Sequence, residues 1–203
     1  SHNASRIMPL APHQYLGPLL IFFVSLFAYI FEQQLESDLV YQRQEVMLGE
    51  WWRYISAHFF HTNLYHFMLN AAALILLWAL QGQRYSFFSF LFVFFFSAIS
   101  ACLGVHYFSP ELKQYVGLSG ALHGIFIWGA LLEISHKEKT GYLLLLGLLM
   151  KIAFEQFYGA SEDVSALINA KVAINSHLWG AIGGFIMSLL LMLTTAKSSK
   201  RHS

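Results

Sequence analysis

The chain has 203 residues, 57% hydrophobic and 17% aromatic but only 11% charged; a water-soluble domain carries about 25% charged residues, so a soluble globular domain is excluded. A net charge of +1 lacks the electrostatic footprint of a nucleic-acid binder, and a single cysteine, Cys102, excludes an internal disulfide framework. What remains is a polytopic membrane protein, which lipid restricts to helices or a closed barrel.

Barrel strands alternate apolar and polar residues over about ten positions. Long unbroken apolar runs stand here instead, so the expected fold class is all-α. Six stretches approach the roughly 20 residues that a helix needs to cross the hydrocarbon.

Ser1-His2-Asn3-Ala4-Ser5, with no initiator methionine, reads as a cloning remnant at the head of an N-terminal tail over residues 1–16. The first span runs from about Gly17 to Phe31; it is too long and too aromatic for a cleaved signal, and no small-residue cleavage site follows it. A connection from about Glu32 to Trp52, expected to be the only long one, ends in Glu50-Trp51-Trp52-Arg53, an amphipathic patch suited to the headgroup layer. The second span runs from about Leu64 to Leu80. The third, about Phe87 to Val105, holds Cys102, which reads as a small packing residue. The fourth, about Leu118 to Ile134, opens on small residues, and the fifth, about Tyr142 to Phe157, contains Lys151. The sixth runs from about Ile174 to Leu193, ahead of a basic tail over 195–203, giving one six-helix membrane domain over 17–194.

Basic residues in short loops set orientation. With the N-terminus inside, the inner segments hold Arg6, Arg84, Lys137, Lys139, Lys197, Lys200 and Arg201, against Arg43, Arg53, Lys113 and Lys171 outside. That bias favours both termini in the cytoplasm.

Polar groups in a bilayer cost free energy, so each intramembrane one is a candidate for function. Gly117-Leu118-Ser119-Gly120-Ala121-Leu122-His123-Gly124 opens the fourth span. Ser119 stands near a helix N-terminus, where free N–H groups favour developing negative charge, as a nucleophilic serine and its oxyanion require. The plainer reading is a serine bonded to its own backbone. Asn175-Ser176-His177-Leu178-Trp179-Gly180-Ala181-Ile182-Gly183-Gly184 opens the sixth span. Gly180 and Gly184 lie one turn apart, as do Gly120 and Gly124, so the two faces can press together and bring His177 towards Ser119. An interfacial histidine is the plainer reading there. In the second span, His66 and Asn70 share one face, and both can donate hydrogen bonds. A zinc site of His58, His61 and His66 is the weaker reading, because no His-Glu-x-x-His and no nearby carboxylate accompanies them. No metal or other cofactor is expected.

Together these clusters resemble the rhomboid family of intramembrane serine proteases, across nearly the whole chain. The resemblance rests on six spans, Glu50-x-Trp52-Arg53 in the first outer loop, His66-x-x-x-Asn70, Gly117-x-Ser119-Gly120, and His177 followed by Gly180 and Gly184. It implies Ser119 as nucleophile and His177 as general base of a Ser–His dyad. His66, Asn70 and the Ser119 N–H would form the oxyanion hole. No carboxylate is obviously placed to orient His177, in keeping with a dyad. It also implies that the second and fifth helices and the first loop, with Trp51 and Trp52, control access of a substrate helix to a wet cavity.

Where many rhomboids carry an aromatic residue four positions after the serine, this chain has His123. Gly-x-Ser-Gly-x-x-His-Gly is similar to the rhombosortase branch, as is a six-span form without a further domain. That branch implies a bacterial inner-membrane enzyme, opening to the periplasmic side, that removes the C-terminal anchor of secreted proteins bearing a Gly-Gly signal. The acyl-enzyme would pass to water or to an amine. His123 is expected beneath His177 and hydrogen-bonded to it; the rival assignments are His123 as the base, or as a packing residue. Lys151 and Glu155, four apart on one face, either neutralise each other or recognise substrate near the lateral gate. The partners implied are a substrate's anchor helix and membrane lipids. A general rhomboid protease is the alternative, and a small transporter or channel a third reading of intramembrane His, Lys and Glu. A transporter predicts a polar path across the whole membrane, whereas the polar residues here crowd the outer half.

Overall fold

The computed structural model describes residues 8–202; Ser1–Ser5 and Arg6, used above, lie outside them. Among the described residues, five helices are long and apolar enough to cross a membrane: α1 (Pro12–Ile30), α5 (Leu64–Gln81), α6 (Phe87–Phe108), α8 (Thr140–Tyr158) and α10 (Ile174–Arg201). The sixth apolar helix, α7 (Ser119–Ser135), has 17 residues. At 1.5 Å per residue it is about 26 Å long, short of a hydrocarbon core of about 30 Å. Ser119 is its first residue.

Large apolar side chains such as Phe23, Phe27, Leu143, Phe154 and Leu190 face outwards, an arrangement stable only against lipid. The protein is a multi-pass helical membrane bundle. α7 is its centre, packed by α5, α6, α8 and α10. Phe90, Val93 and Phe94 of α6 meet Leu74 and Leu77 of α5 and Leu122, Ile125 and Trp128 of α7 in the main core. α10 lies against both α6 and α7. The contact with α7 is nearly side-chain-free: a carbon added to Gly180 would strike the Gly120 carbonyl, and one on Gly184 the Gly124 carbonyl. Glycine at these positions is what lets the two backbones meet, as the pairing of the glycine faces anticipates.

The connection after α1 is folded rather than open. α2 (Glu32–Leu39), strand β1 (Tyr41–Gln42), α3 (Arg43–Met47) and α4 (Arg53–Ser56) follow one another. β1 pairs antiparallel with β2 (Gln114–Tyr115), Tyr41 opposite Tyr115, tying this loop to the one ahead of α7. Two arginines hold it by donating to backbone carbonyls. Arg43 caps the end of α6 through the carbonyls of His106 (2.8 Å) and Ser109 (2.9 Å) and also reaches Leu112 (3.0 Å). The buried Arg53 reaches Val40 (2.7 Å), Ser37 (2.9 Å) and the Glu50 carboxylate (2.9 Å). Between these anchors Met47, Leu48 and Trp51 stand exposed, as a headgroup-layer patch requires.

Three expectations are corrected. α1 begins at Pro12, inside the stretch read as a tail, because Pro12 fits the first turn and the Gln14 side chain accepts from the Ala11 N–H at 3.0 Å. α10 continues past the expected end of the last span to Arg201, so residues 195–201 are helical, and Thr194 and Thr195 bond back to carbonyls four residues earlier. The Glu32–Trp52 connection is not the only long one. Residues 159–173 form another and hold a short helix, α9 (Glu162–Ile168), which packs on α5.

Candidate active site

Ser119 is the first residue of α7, where the N–H groups of the opening turn have no helical acceptor. Gly117, with φ of +120°, turns the chain into that position. The glycine seam sets α10 against α7 so that His177 Nε2 lies 3.0 Å from Ser119 Oγ.

At the opposite edge of the His177 ring the structure places a carboxylate that was not evident from the sequence. Nδ1 lies 2.9 and 3.0 Å from the two carboxylate oxygens of Glu155, on α8. Lys151, one turn earlier, donates to Glu155 Oε2 at 3.3 Å and to His123 Nε2 at 2.8 Å. The Lys–Glu pair therefore exists, but it is not self-contained.

His123 stacks on His177, with ring centroids 4.0 Å apart and planes 12° from parallel. The expected hydrogen bond between the two rings is absent, because stacked rings direct their N–H groups and lone pairs sideways. His123 Nδ1 instead donates to the Ser119 carbonyl at 2.5 Å. With Nε2 taken by Lys151, neither nitrogen of His123 faces the Ser119 hydroxyl, which leaves it badly placed as the base. His123, Glu155 and His177 also form the one cluster among the described residues whose donor atoms lie close enough for a metal, within 4.8 Å of one another. In-plane lone pairs of two stacked rings cannot converge on one ion, and the Lys151 ammonium already bridges two of the three residues. His58, His61 and His66 form no such cluster among the described residues.

His66 and Asn70 are buried on the α5 face that turns towards Gly117. A side-chain carbon on Gly117 would lie 2.9 Å from His66 Nε2 and 3.6 Å from Asn70 Nδ2, so both donors point at the same space beside Ser119. Asn63 caps α5 by accepting from the His66 N–H at 2.9 Å. Asn70 Nδ2 has no hydrogen-bond partner and is available to a ligand. Thr62, not singled out from sequence, donates its N–H to His66 Nδ1 at 3.2 Å and its hydroxyl to the Ile168 carbonyl of α9 at 2.5 Å. Its position ahead of the His66 turn was the available signal.

Two cavities meet at this point. One, of about 560 Å³, is lined by polar loop residues including Glu32, Glu36, His61, Gln114 and Lys171, and reaches His66 and Ser119. Burial pushes His61 down to about 3, with His66 beside it adding to the effect, so it is neutral near pH 7. Burial and the neighbouring Glu36 raise the Glu32 carboxyl above its usual range. The second cavity, of about 500 Å³, is walled by leucines and other apolar groups between α5 and α8, and reaches Asn70, Ser119, Lys151 and His177. α8 packs on α7 and α10 but makes no extended contact with α5. Trp51 and Trp52 line neither cavity; Trp52 donates to the Asp38 carbonyl at 2.9 Å and belongs to the loop surface.

The central helix of this multi-pass bundle thus opens on a serine set 3.0 Å from a histidine nitrogen. A Rhomboid domain profile matches residues 48–194, and the chain belongs to the rhomboid family. Among its relatives in Bacillus subtilis (strain 168), it is 27% identical over 142 residues to "Putative rhomboid protease YdcA", covering 70% of this chain and 68% of that one. It is 28% identical over 148 residues to "Rhomboid protease GluP", covering 73% of this chain but only 27% of GluP.

Proposed function

We propose that this chain is an intramembrane serine protease in which Ser119 is the nucleophile, His177 its general base, and His66, Asn70 and the Ser119 N–H the oxyanion hole. The observation that carries the reading is the meeting of an apolar, lipid-side cleft and a polar, loop-side cavity at one serine 3.0 Å from an imidazole nitrogen. A helix needs the first to approach through lipid, and a water or amine needs the second to reach the acyl-enzyme. The names of the two relatives agree with this reading.

The substrate class we favour is the C-terminal hydrophobic anchor of secreted proteins carrying a Gly-Gly signal, with the acyl group passing to water or to an amine. His123, stacked on the base in place of an aromatic residue, supports assignment to the rhombosortase branch. A bacterial inner-membrane location accords with that branch, and the basic residues of the inner loops support both termini in the cytoplasm with the polar cavity outside. Serine-directed fluorophosphonate labelling tests the nucleophile: the wild type labels and Ser119→Ala does not. Labelling that persists in Ser119→Ala overturns the assignment. Cleavage of a Gly-Gly tail but not of a generic single-span helix supports the branch, and equal cleavage of both favours a general rhomboid protease.

A further inference from the structure

We propose that Glu155 is a positioning residue that completes a Ser119–His177–Glu155 triad, held ionised by Lys151. The inference rests on the protease reading above and goes beyond the dyad that the family resemblance implies.

The first argument is tautomeric. A neutral imidazole carries one proton, and a carboxylate can only accept. With both Glu155 oxygens within 3.0 Å of His177 Nδ1, the proton resides on Nδ1 and the Nε2 lone pair faces the Ser119 hydroxyl at 3.0 Å. A base must present that tautomer. Stacking on His123 fixes the ring plane in the same orientation.

The second argument is electrostatic. A carboxylate among apolar helices is costly unless it is paired and hydrogen-bonded. Lys151 supplies the opposite charge from the same helical face. Lys151 is in turn held by His123 Nε2, whose Nδ1–H is committed to the Ser119 carbonyl. The chain of contacts closes on itself, from the Ser119 hydroxyl through His177, Glu155, Lys151 and His123 to the Ser119 carbonyl. A pair that only neutralised itself would need neither histidine.

The proton balance is complete. Ser119 Oγ bonds to the substrate carbonyl carbon as its proton passes to Nε2, and the imidazolium keeps its Nδ1–H on an ionised Glu155. The Nε2 proton goes to the departing amide nitrogen as the C–N bond breaks. A water or amine then attacks the ester, gives its proton to Nε2, and Nε2 returns it to Ser119 Oγ.

The test compares Glu155→Gln, Glu155→Asp and Lys151→Met in full-length detergent-solubilised protein, using cleavage kinetics and the fluorophosphonate labelling rate. Glu155→Gln is expected to lower kcat by about 10²–10⁴-fold with KM little changed, since an amide can hold the wrong tautomer. Glu155→Asp recovers part of the loss and Lys151→Met falls between. If Glu155→Gln does not fold, Glu155→Asp and Lys151→Met carry the test through the same split of kcat against KM. Labelling and kcat within about threefold of wild type in the folded variants overturn the triad alone. Absence of labelling in the wild type overturns the protease reading, and the triad with it.

Discussion

The backbone N–H of Thr62 points at His66 Nδ1 from 3.2 Å, while the threonine hydroxyl is committed to the Ile168 carbonyl. Nδ1 is thereby an acceptor, so the proton of a neutral His66 sits on Nε2, the atom that shares the space beside Gly117 with Asn70 Nδ2. Two donors are thus aimed in advance at one position, as stabilisation of a developing oxyanion requires. Removing either by His66→Ala or Asn70→Ala is expected to lower kcat by about 10²–10³-fold with KM nearly unchanged. Steady-state kinetics on a cleavable single-span substrate checks this, and a loss confined to KM would contradict the role.

The glycine seam makes a stability prediction with an internal control. A methyl group on Gly180 has no room against the Gly120 carbonyl, whereas one on Gly147 of α8 meets nothing within 4 Å. Gly180→Ala should destabilise the folded protein by about 1–3 kcal/mol through overpacking, and Gly147→Ala should be neutral or slightly stabilising. Thermal unfolding in detergent measures both.

Much of this arrangement was legible in the residues. The glycines at 120, 124, 180 and 184 announce that two helices meet, and the serine and histidine bracket that meeting. Glu155 was visible as a span-embedded carboxylate, but its contact with His177 was not. It depends on the depth at which α8 and α10 sit relative to each other, which two separate apolar runs do not record. One clue existed, since Glu155 lies near the end of one span and His177 near the start of the next, hence at matching depth. The presence of α9 was hidden for another reason: it has seven residues, too few for a helical period to emerge.

His61 supplies a pH dependence outside the spans. Burial, with His66 beside it, holds its pKa near 3 against 6.5 for an unhindered histidine, and neither ring nitrogen has a partner. Protonation therefore favours unfolding: the stability contribution is fully present above about pH 6.5 and is lost as pH falls towards 3. Between about pH 7 and about pH 4.5 the loss attributable to this ring is about 2–3 kcal/mol. His61→Phe, which keeps a ring edge-on to Phe67, should flatten that part of the profile in thermal unfolding scans. An unchanged pH profile would refute the assignment.

Orientation can be read with single cysteines, because Cys102 is fully buried and contributes little background. A cysteine replacing Glu111, exposed in the loop ahead of α7, should react with an impermeant maleimide on intact cells or spheroplasts. One replacing Lys197 should react only after lysis. The reverse pattern would invert the proposed topology.

The position of Glu155 has one further consequence. α8 is the most loosely held of the spans, and it borders the opening through which a helix would arrive. Because Glu155 is carried by that same helix, any displacement of α8 away from α10 would separate the carboxylate from His177 as well as widen the cleft.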